Sequence, residues 1–273
     1  MSDNPQGQQE INHTPEHPFT YIPAPPPEQW RPRDLIIFLL YIPFALIVSN
    51  LVAFAGYAII GPLVGWHTPI REMQTNTIFL LSLQLIFYAF VLAYIYFLIA
   101  IHYQAHFWGT LKWLRLSGRQ TIRFLLGGAV LSFLVMFAPP VLPERKSFPL
   151  EKLFSPPSSA YAVAGFAVLV APFVEELLFR GLLFAFFEKH GGLKFAVITT
   201  AVLFAGLHIP EYWGAWDHAL MILVVGLVFS IARGRTGSVT PSFILHLSYN
   251  ATTMFAAYVQ TQHFQKIPGV LGF

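Results

Sequence analysis

Long apolar runs separated by short polar stretches organise the chain, and the runs have the lengths of membrane-crossing helices. At about 1.5 Å of rise per residue, roughly 20 residues span a hydrocarbon core about 30 Å thick. Seven runs stand out, at residues 35–66, 77–100, 124–141, 161–187, 194–208, 219–232 and 238–258. They predict an all-α fold, a polytopic transmembrane helix bundle of about seven crossings, six to eight depending on how the first run divides. That first run holds 32 residues with Pro43 inside it, so tilt or a kink at the proline is expected. If the fifth crossing starts at Lys194, His208 at its end should lie nearer the outer leaflet than Glu175 on the fourth.

The polar stretches complete the plan. Residues 1–34 carry eight prolines by residue 32, including Pro25, Pro26 and Pro27, and read as a disordered or polyproline-like cytoplasmic arm without the short apolar core of a signal peptide. Over 107–123, Phe107, Leu111 and Leu114 fall at helical spacing, with Lys112, Arg115, Arg119 and Arg123 on another side. This predicts an amphipathic segment lying along the headgroups. Residues 35–160 therefore form an N-terminal membrane region, residues 161–258 a second region with most of the intramembrane charge, and residues 259–273 a tail too short to cross.

Composition sharpens the membrane reading. With 55% hydrophobic and 11% charged residues, 27 phenylalanines and a mean hydropathy of +0.59, the chain needs lipid as its solvent. The net charge of +3 is modest and its basic residues sit in loops, which excludes nucleic acid as the expected partner. With the N-terminus inside, ten basic residues (Arg31, Arg33, Lys112, Arg115, Arg119, Arg123, Lys189, Lys194, Arg233 and Arg235) fall on the cytoplasmic side. Five (Arg71, Arg145, Lys146, Lys152 and Lys266) fall outside. That bias predicts an integral protein of the cytoplasmic membrane with a cytoplasmic N-terminus. The absence of cysteine removes disulfides, thiolate metal sites and thiol nucleophiles. No internal repeat argues for the paired halves of a carrier, although a proton-coupled carrier stays as a third, weaker reading.

Charge inside the runs locates the candidate chemistry. Residues 171–181 read A-P-F-V-E-E-L-L-F-R-G, placing Glu175, Glu176 and Arg180 in a crossing. Three unpaired charges there would cost about 10 kcal/mol at roughly 3 kcal/mol each. Glu176 and Arg180 at i,i+4 can pair on one helical face, while Glu175 points about 100° away. A desolvated carboxylate without its own counter-charge suits proton transfer; one cluster of both glutamates with the arginine is the structural alternative. His208 closes the fifth run, and His246 and Asn250 lie one turn apart on the seventh. Glu175 and His208 could activate a water molecule, and His246 with Asn250 could donate to a developing oxyanion. Glu175, His208 and His246 would also suit zinc as a two-histidine, one-carboxylate set, and the sequence leaves glutamate-held and metal-held water open. The three aspartates, Asp3, Asp34 and Asp217, lie outside the runs, and neither H-E-x-x-H nor G-x-S-x-G occurs, so aspartyl, zincin and serine-elbow chemistries are excluded.

Three motifs in order, E-E-L-L-F-R at 175–180, F-A-G-L-H at 204–208 and H-L-S-Y-N at 246–250, closely resemble those of the CPBP family. These are the type II CAAX prenyl endopeptidases and the bacterial Abi, or bacteriocin-processing and self-immunity, proteins. R-T-G-S-V-T-P at 235–241 is similar to the family's approach to its third motif. The likeness is strong over 161–258, and the earlier helices share only hydropathy. It implies an all-helical intramembrane protease, labelled in many bacterial members a metalloprotease, acting on a membrane-associated protein or peptide, in some members a prenylated CAAX-type tail. It implies Glu175 and His208 as the water-activating pair, His246 and Asn250 as transition-state stabilisers, Glu176 and Arg180 as support, and Phe204 as a packing residue. Archetypal members have eight crossings, and an eighth is found here only by splitting residues 35–66. The competing reading is a non-catalytic scaffold or self-immunity protein that binds a peptide in the same cavity.

Overall fold

In the computed structural model, residues 30–65, 69–139, 153–154 and 157–265 are described, and every regular element among them is helical. The expected arm over 1–29, the end of the third run at 140–141, the charged loop that follows it and the tail from 266 lie outside the described residues. The principal helices are α1 (Pro32–Leu63), α2 (Thr77–Tyr96), the single turn α3 (Phe107–Thr110), α4 (Gly118–Met136), α5 (Pro157–Gly165), α6 (Ala171–Glu176), α7 (Phe184–His208), α8 (Trp216–Thr236) and α9 (Val239–Gln260). Pro43 is carried inside an unbroken α1, so the first run is one long crossing rather than two.

Five helical stretches, Pro32–Leu63, Thr77–His102, Gly118–Met136, Ser158–His208 and Trp216–Thr236, are long and apolar enough to cross a membrane. Ser158–His208 runs for 51 residues and turns back at Gly192, whose φ of 77° and ψ of 177° interrupt the helix. Counted as two legs and joined by the more polar α9, it restores the expected seven crossings. Large apolar side chains on α1, among them Ile36, Leu40, Ile47 and Leu51, are exposed, as a lipid-facing helix requires. Their opposite face, with Ala45, Ser49 and Ala53 buried, lies against α2.

The turn at Gly192 corrects the expected depths. Glu175 precedes it by 17 residues and His208 follows it by 16, so at about 1.5 Å per residue both sit roughly 25 Å from the bend. They meet at one level because the hairpin folds between them, two residues before the start assumed at Lys194.

The segment 107–123, expected to be amphipathic, is helical only in part. Only α3 is helical in its first part, and Arg119 and Arg123 belong to α4. Leu111 is fully buried, and the Lys112 carbonyl accepts hydrogen bonds from Val239 N (3.0 Å) and Ser238 Oγ (3.1 Å). Of its apolar positions Leu111 inserts into protein while Leu114 stays exposed, and the backbone at Lys112 clamps the start of α9.

Close approach of α4 holds α9 from its other side. A Cβ on Gly128 would come within 2.4 Å of the Leu245 carbonyl oxygen. Ser248 Oγ donates to Leu125 O at 2.6 Å, and the Ser132 and Thr253 hydroxyls are 2.9 Å apart. Small and hydroxylated residues at such a seam provide the close packing and hydrogen bonds that associate helices in lipid. The largest apolar cluster joins Tyr88, Val91 and Ile95 of α2 to Val174, Leu177, Phe179 and Leu182 on the long hairpin.

The conformation of Gly192 falls in a region open essentially to glycine alone. Gly192→Ala is expected to destabilise the protein by about 1–3 kcal/mol, read as a lowered unfolding midpoint in detergent.

Candidate active site

The two adjacent glutamates point to different partners. The first leg of the hairpin widens into π turns at Phe166–Val170 and Leu177–Leu183, on either side of α6, and such turns are frequent at functional sites. Glu176 Oε1 accepts from Arg180 Nη1 at 3.0 Å, with both side chains fully buried. Arg180 Nη2 donates to the Gly226 carbonyl of α8 at 2.8 Å, while Arg233 Nε donates to the Arg180 carbonyl at 3.0 Å. The guanidinium carbon lies 4.6 Å from the centre of the Phe204 ring and 5.4 Å from that of Phe229, close enough for the ring faces to attract its charge. The i,i+4 pair expected from the sequence is present, and Glu175 is directed elsewhere, so the alternative of one three-member cluster is not what forms.

Glu175 Oε1 accepts a 2.6 Å hydrogen bond from the Tyr88 hydroxyl of α2, and its Oε2 lies 3.9 Å from His246 Nε2. The other nitrogen of that ring, Nδ1, is 3.1 Å from Glu176 Oε1. His246 thus stands between the structural glutamate and the free one. His208 Nδ1 is 2.7 Å from the Phe204 carbonyl; donating there leaves Nε2 with its lone pair available. Phe204, expected only to pack, is tilted against His208 at 4.6 Å and meets His246 edge-on at 5.7 Å, so one ring braces both imidazoles and the buried cation.

Glu175, His208, His246 and Asn250 all line one cavity of about 450 Å³, within the usual range of about 300–1,000 Å³ for ligand pockets. The expected oxyanion role of Asn250 needs amendment. Its Nδ2 donates to the Ala167 carbonyl at 2.8 Å, inside the first π turn, so one of its two N–H groups is committed to the backbone.

Among the described residues no three histidine, aspartate or glutamate side chains are grouped to hold a metal ion, although Nδ1 of His246 on Glu176 is the outer contact a metal-ligating histidine also uses. Glu175, His208 and His246 share the cavity without converging as a ligand set.

Tyr88 and Glu211 are cavity residues that reading the sequence missed. Tyr88 lies in a run whose tyrosines resemble interfacial anchors; the only signal was Gln84 one turn earlier, a polar pair on one face of an apolar crossing. Glu211 follows the second motif in the loop between α7 and α8. It is open towards the cavity, yet surrounding protein displaces enough water to push its carboxyl above the usual range, with the nearby His208 opposing the shift.

Removing one partner of a buried ion pair strands the other charge, at a cost of about 3–5 kcal/mol. Arg180→Met is expected to lose about that much stability, and adding Glu176→Gln should recover part of it; thermal unfolding of both variants in detergent reads the difference.

Comparison with known proteins agrees with the motifs. The family model for type II CAAX prenyl endopeptidase Rce1-like proteins matches residues 157–252, from the start of α5 to beyond Asn250 on α9. "Uncharacterized protein YpbD" of Bacillus subtilis (strain 168) is 28% identical over 116 residues, 42% of this chain and 54% of that protein, so the chain spans about half the length of this relative. No solved structure gives a significant match. The resemblance read from the three motifs is borne out where they lie: over residues 157–252, this membrane-embedded chain is similar to the type II CAAX prenyl endopeptidase Rce1-like family.

Proposed function

We propose that this protein is an intramembrane endopeptidase that hydrolyses a peptide bond of a membrane-associated substrate with a water molecule held by Glu175. The observation that carries this reading is the placement of the Glu175 carboxylate. It is oriented by Tyr88 through one oxygen, while the other faces His246 at 3.9 Å, in a cavity that His208 also lines. That separation is too long for a direct hydrogen bond and short enough for one water to join both groups.

In the proposed reaction Glu175 takes a proton from water as the water oxygen attacks the peptide carbonyl carbon. His208 Nε2 accepts a hydrogen bond from the second O–H, whose hydrogen stays on the oxygen, and so orients the attack. The negative charge that forms on the carbonyl oxygen is met by the uncommitted N–H of Asn250 and by His246 Nε2 when that ring is protonated, with Nδ1 anchored on Glu176. Breaking the C–N bond expels the amine, which takes the proton held by Glu175. The match of residues 157–252 supports the same class of chemistry. A zinc-dependent route would need Glu175, His208 and His246 to converge, and no step here is assigned to a metal. We place the Pro32 end of the bundle in the cytoplasm, on the ten-to-five basic bias.

Glu175→Gln should lower cleavage of a quenched fluorogenic peptide by about 10²–10⁴-fold, the usual contribution of a general base, with the variant still inserted and folded. If it costs no more than Leu178→Ala, the cavity is a binding site and the scaffold reading takes over. Tyr88→Phe should reduce kcat by about 10–100-fold, as expected for losing a hydrogen bond to a charged group worth about 1.5–3 kcal/mol, with KM little changed. Chelation of the purified protein should leave its activity intact; loss of activity together with stoichiometric zinc by elemental analysis would replace the glutamate-held water with a metal-held one.

A further inference from the structure

The cavity has a direction that the helix order determines. Its outer wall is made by Leu80 in the first turn of α2, Pro139 just beyond α4, Glu211 in the loop after α7 and Asp217 in the first turn of α8. Starts of α2 and α8 and ends of α4 and α7 all lie at one end of the bundle. Pro32 is at the other end. There the Tyr103 hydroxyl donates to the Asp34 carboxylate and the Tyr94 hydroxyl donates to the Asp34 carbonyl at 3.3 Å, tying the start of α1 to the end of α2.

Basic charge separates along the same axis. All ten Lys and Arg from Arg31 to Arg235 assigned to the cytoplasmic side occur at the Pro32 end: at the start of α1, from Lys112 to Arg123, around the hairpin bend and in the last turn of α8. The opposite side takes five by sequence, Arg71, Arg145, Lys146, Lys152 and Lys266, of which Arg71 is among the described residues, and Arg180 is interior. Positive residues beside membrane helices are retained in the cytoplasm, and this asymmetry coincides with the end from which the cavity faces away.

We infer that the catalytic cavity opens to the non-cytoplasmic face of the membrane, so that its substrate is an exported or membrane-anchored polypeptide presented from the outer leaflet rather than a prenylated tail arriving from the cytoplasm. The walls suit such a chain. Leu83, Val135, Met136, Met221 and Met254 surround the polar floor, an environment that accepts an apolar peptide segment and leaves few partners for a hydrated one. This inference rests on the proteolytic reading of the site and adds the side and chemistry of the substrate.

Because the chain has no cysteine, single thiols report the orientation without a background. Trp213 is exposed in the loop at the mouth and Thr236 is exposed at the Pro32 end. In intact bacterial spheroplasts, a membrane-impermeant maleimide should label Trp213→Cys, and label Thr236→Cys only after permeabilisation. Reversed or two-sided labelling overturns the proposal. The same variants, reconstituted in phospholipid vesicles, give the fraction of molecules with each end outward; cleavage of an apolar quenched peptide added outside should rise with the fraction presenting residue 213. A rate that follows the fraction presenting residue 236 instead also overturns it. Failure of the proteolytic reading is distinguished by absence of cleavage in the parent protein in either orientation, with labelling as expected, and this removes the substrate claim with it. Glu175→Gln supplies the control, since it should abolish cleavage and leave the labelling pattern unchanged.

Discussion

A single buried cation sets the arrangement of the site. Arg180 has no exposed surface, and an unpaired guanidinium in a hydrocarbon interior would be prohibitive. Its charge is met by Glu176, its second nitrogen by the Gly226 carbonyl, and its face by the Phe204 and Phe229 rings. Those contacts draw α7 and α8 against the first leg of the hairpin. Because Glu176 Oε1 is spent on Arg180 and on Nδ1 of His246, the neighbouring Glu175 is the carboxylate left to face the cavity. Ion pair and candidate base are therefore two consequences of the same packing: adjacent residues on a helix cannot share a face, and only one of them reaches the cation.

The helices that carry the other polar groups are held by equally local means. Gly128 lets α4 approach the backbone of α9 closely, and the strap around Leu111 and Lys112 fixes the first turn of α9. His246 and Asn250 are positioned from both flanks. Asn250 also ties back to Ala167 in a π turn, where the i+5 residue is Pro172 and offers no N–H to that carbonyl. Tyr88 adds a contact from α2, outside the segment matched by the family model, so completion of the site depends on the N-terminal pair of helices as well as on residues 157–252.

Much of this was legible in the sequence. Run lengths dictated an all-helical membrane bundle because hydrocarbon permits few other backbone solutions. The i,i+4 spacing of Glu176 and Arg180 specified their pair, since helical geometry is local. The three motifs indicated the family because side-chain order survives without knowledge of contacts. Over residues 107–123 the pattern of apolar and basic positions is the same whether the apolar side chains meet lipid or protein, and the packed helices put Leu111 in protein while Leu114 stays exposed.

Depth, direction and partners were decided by tertiary structure. Whether His208 stands level with Glu175 depended on where one glycine reversed the chain, and φ at Gly192 is not written in hydropathy. Tyr88 became part of the site only because α2 packs on the hairpin 87 residues away in sequence, and Asn250 lost one donor to a carbonyl that Pro172 cannot serve. The chain by itself determined which residues could not remain alone in lipid; only the packed helices decided which groups answered them, because hydrogen bonds across crossings depend on distances that no local pattern encodes.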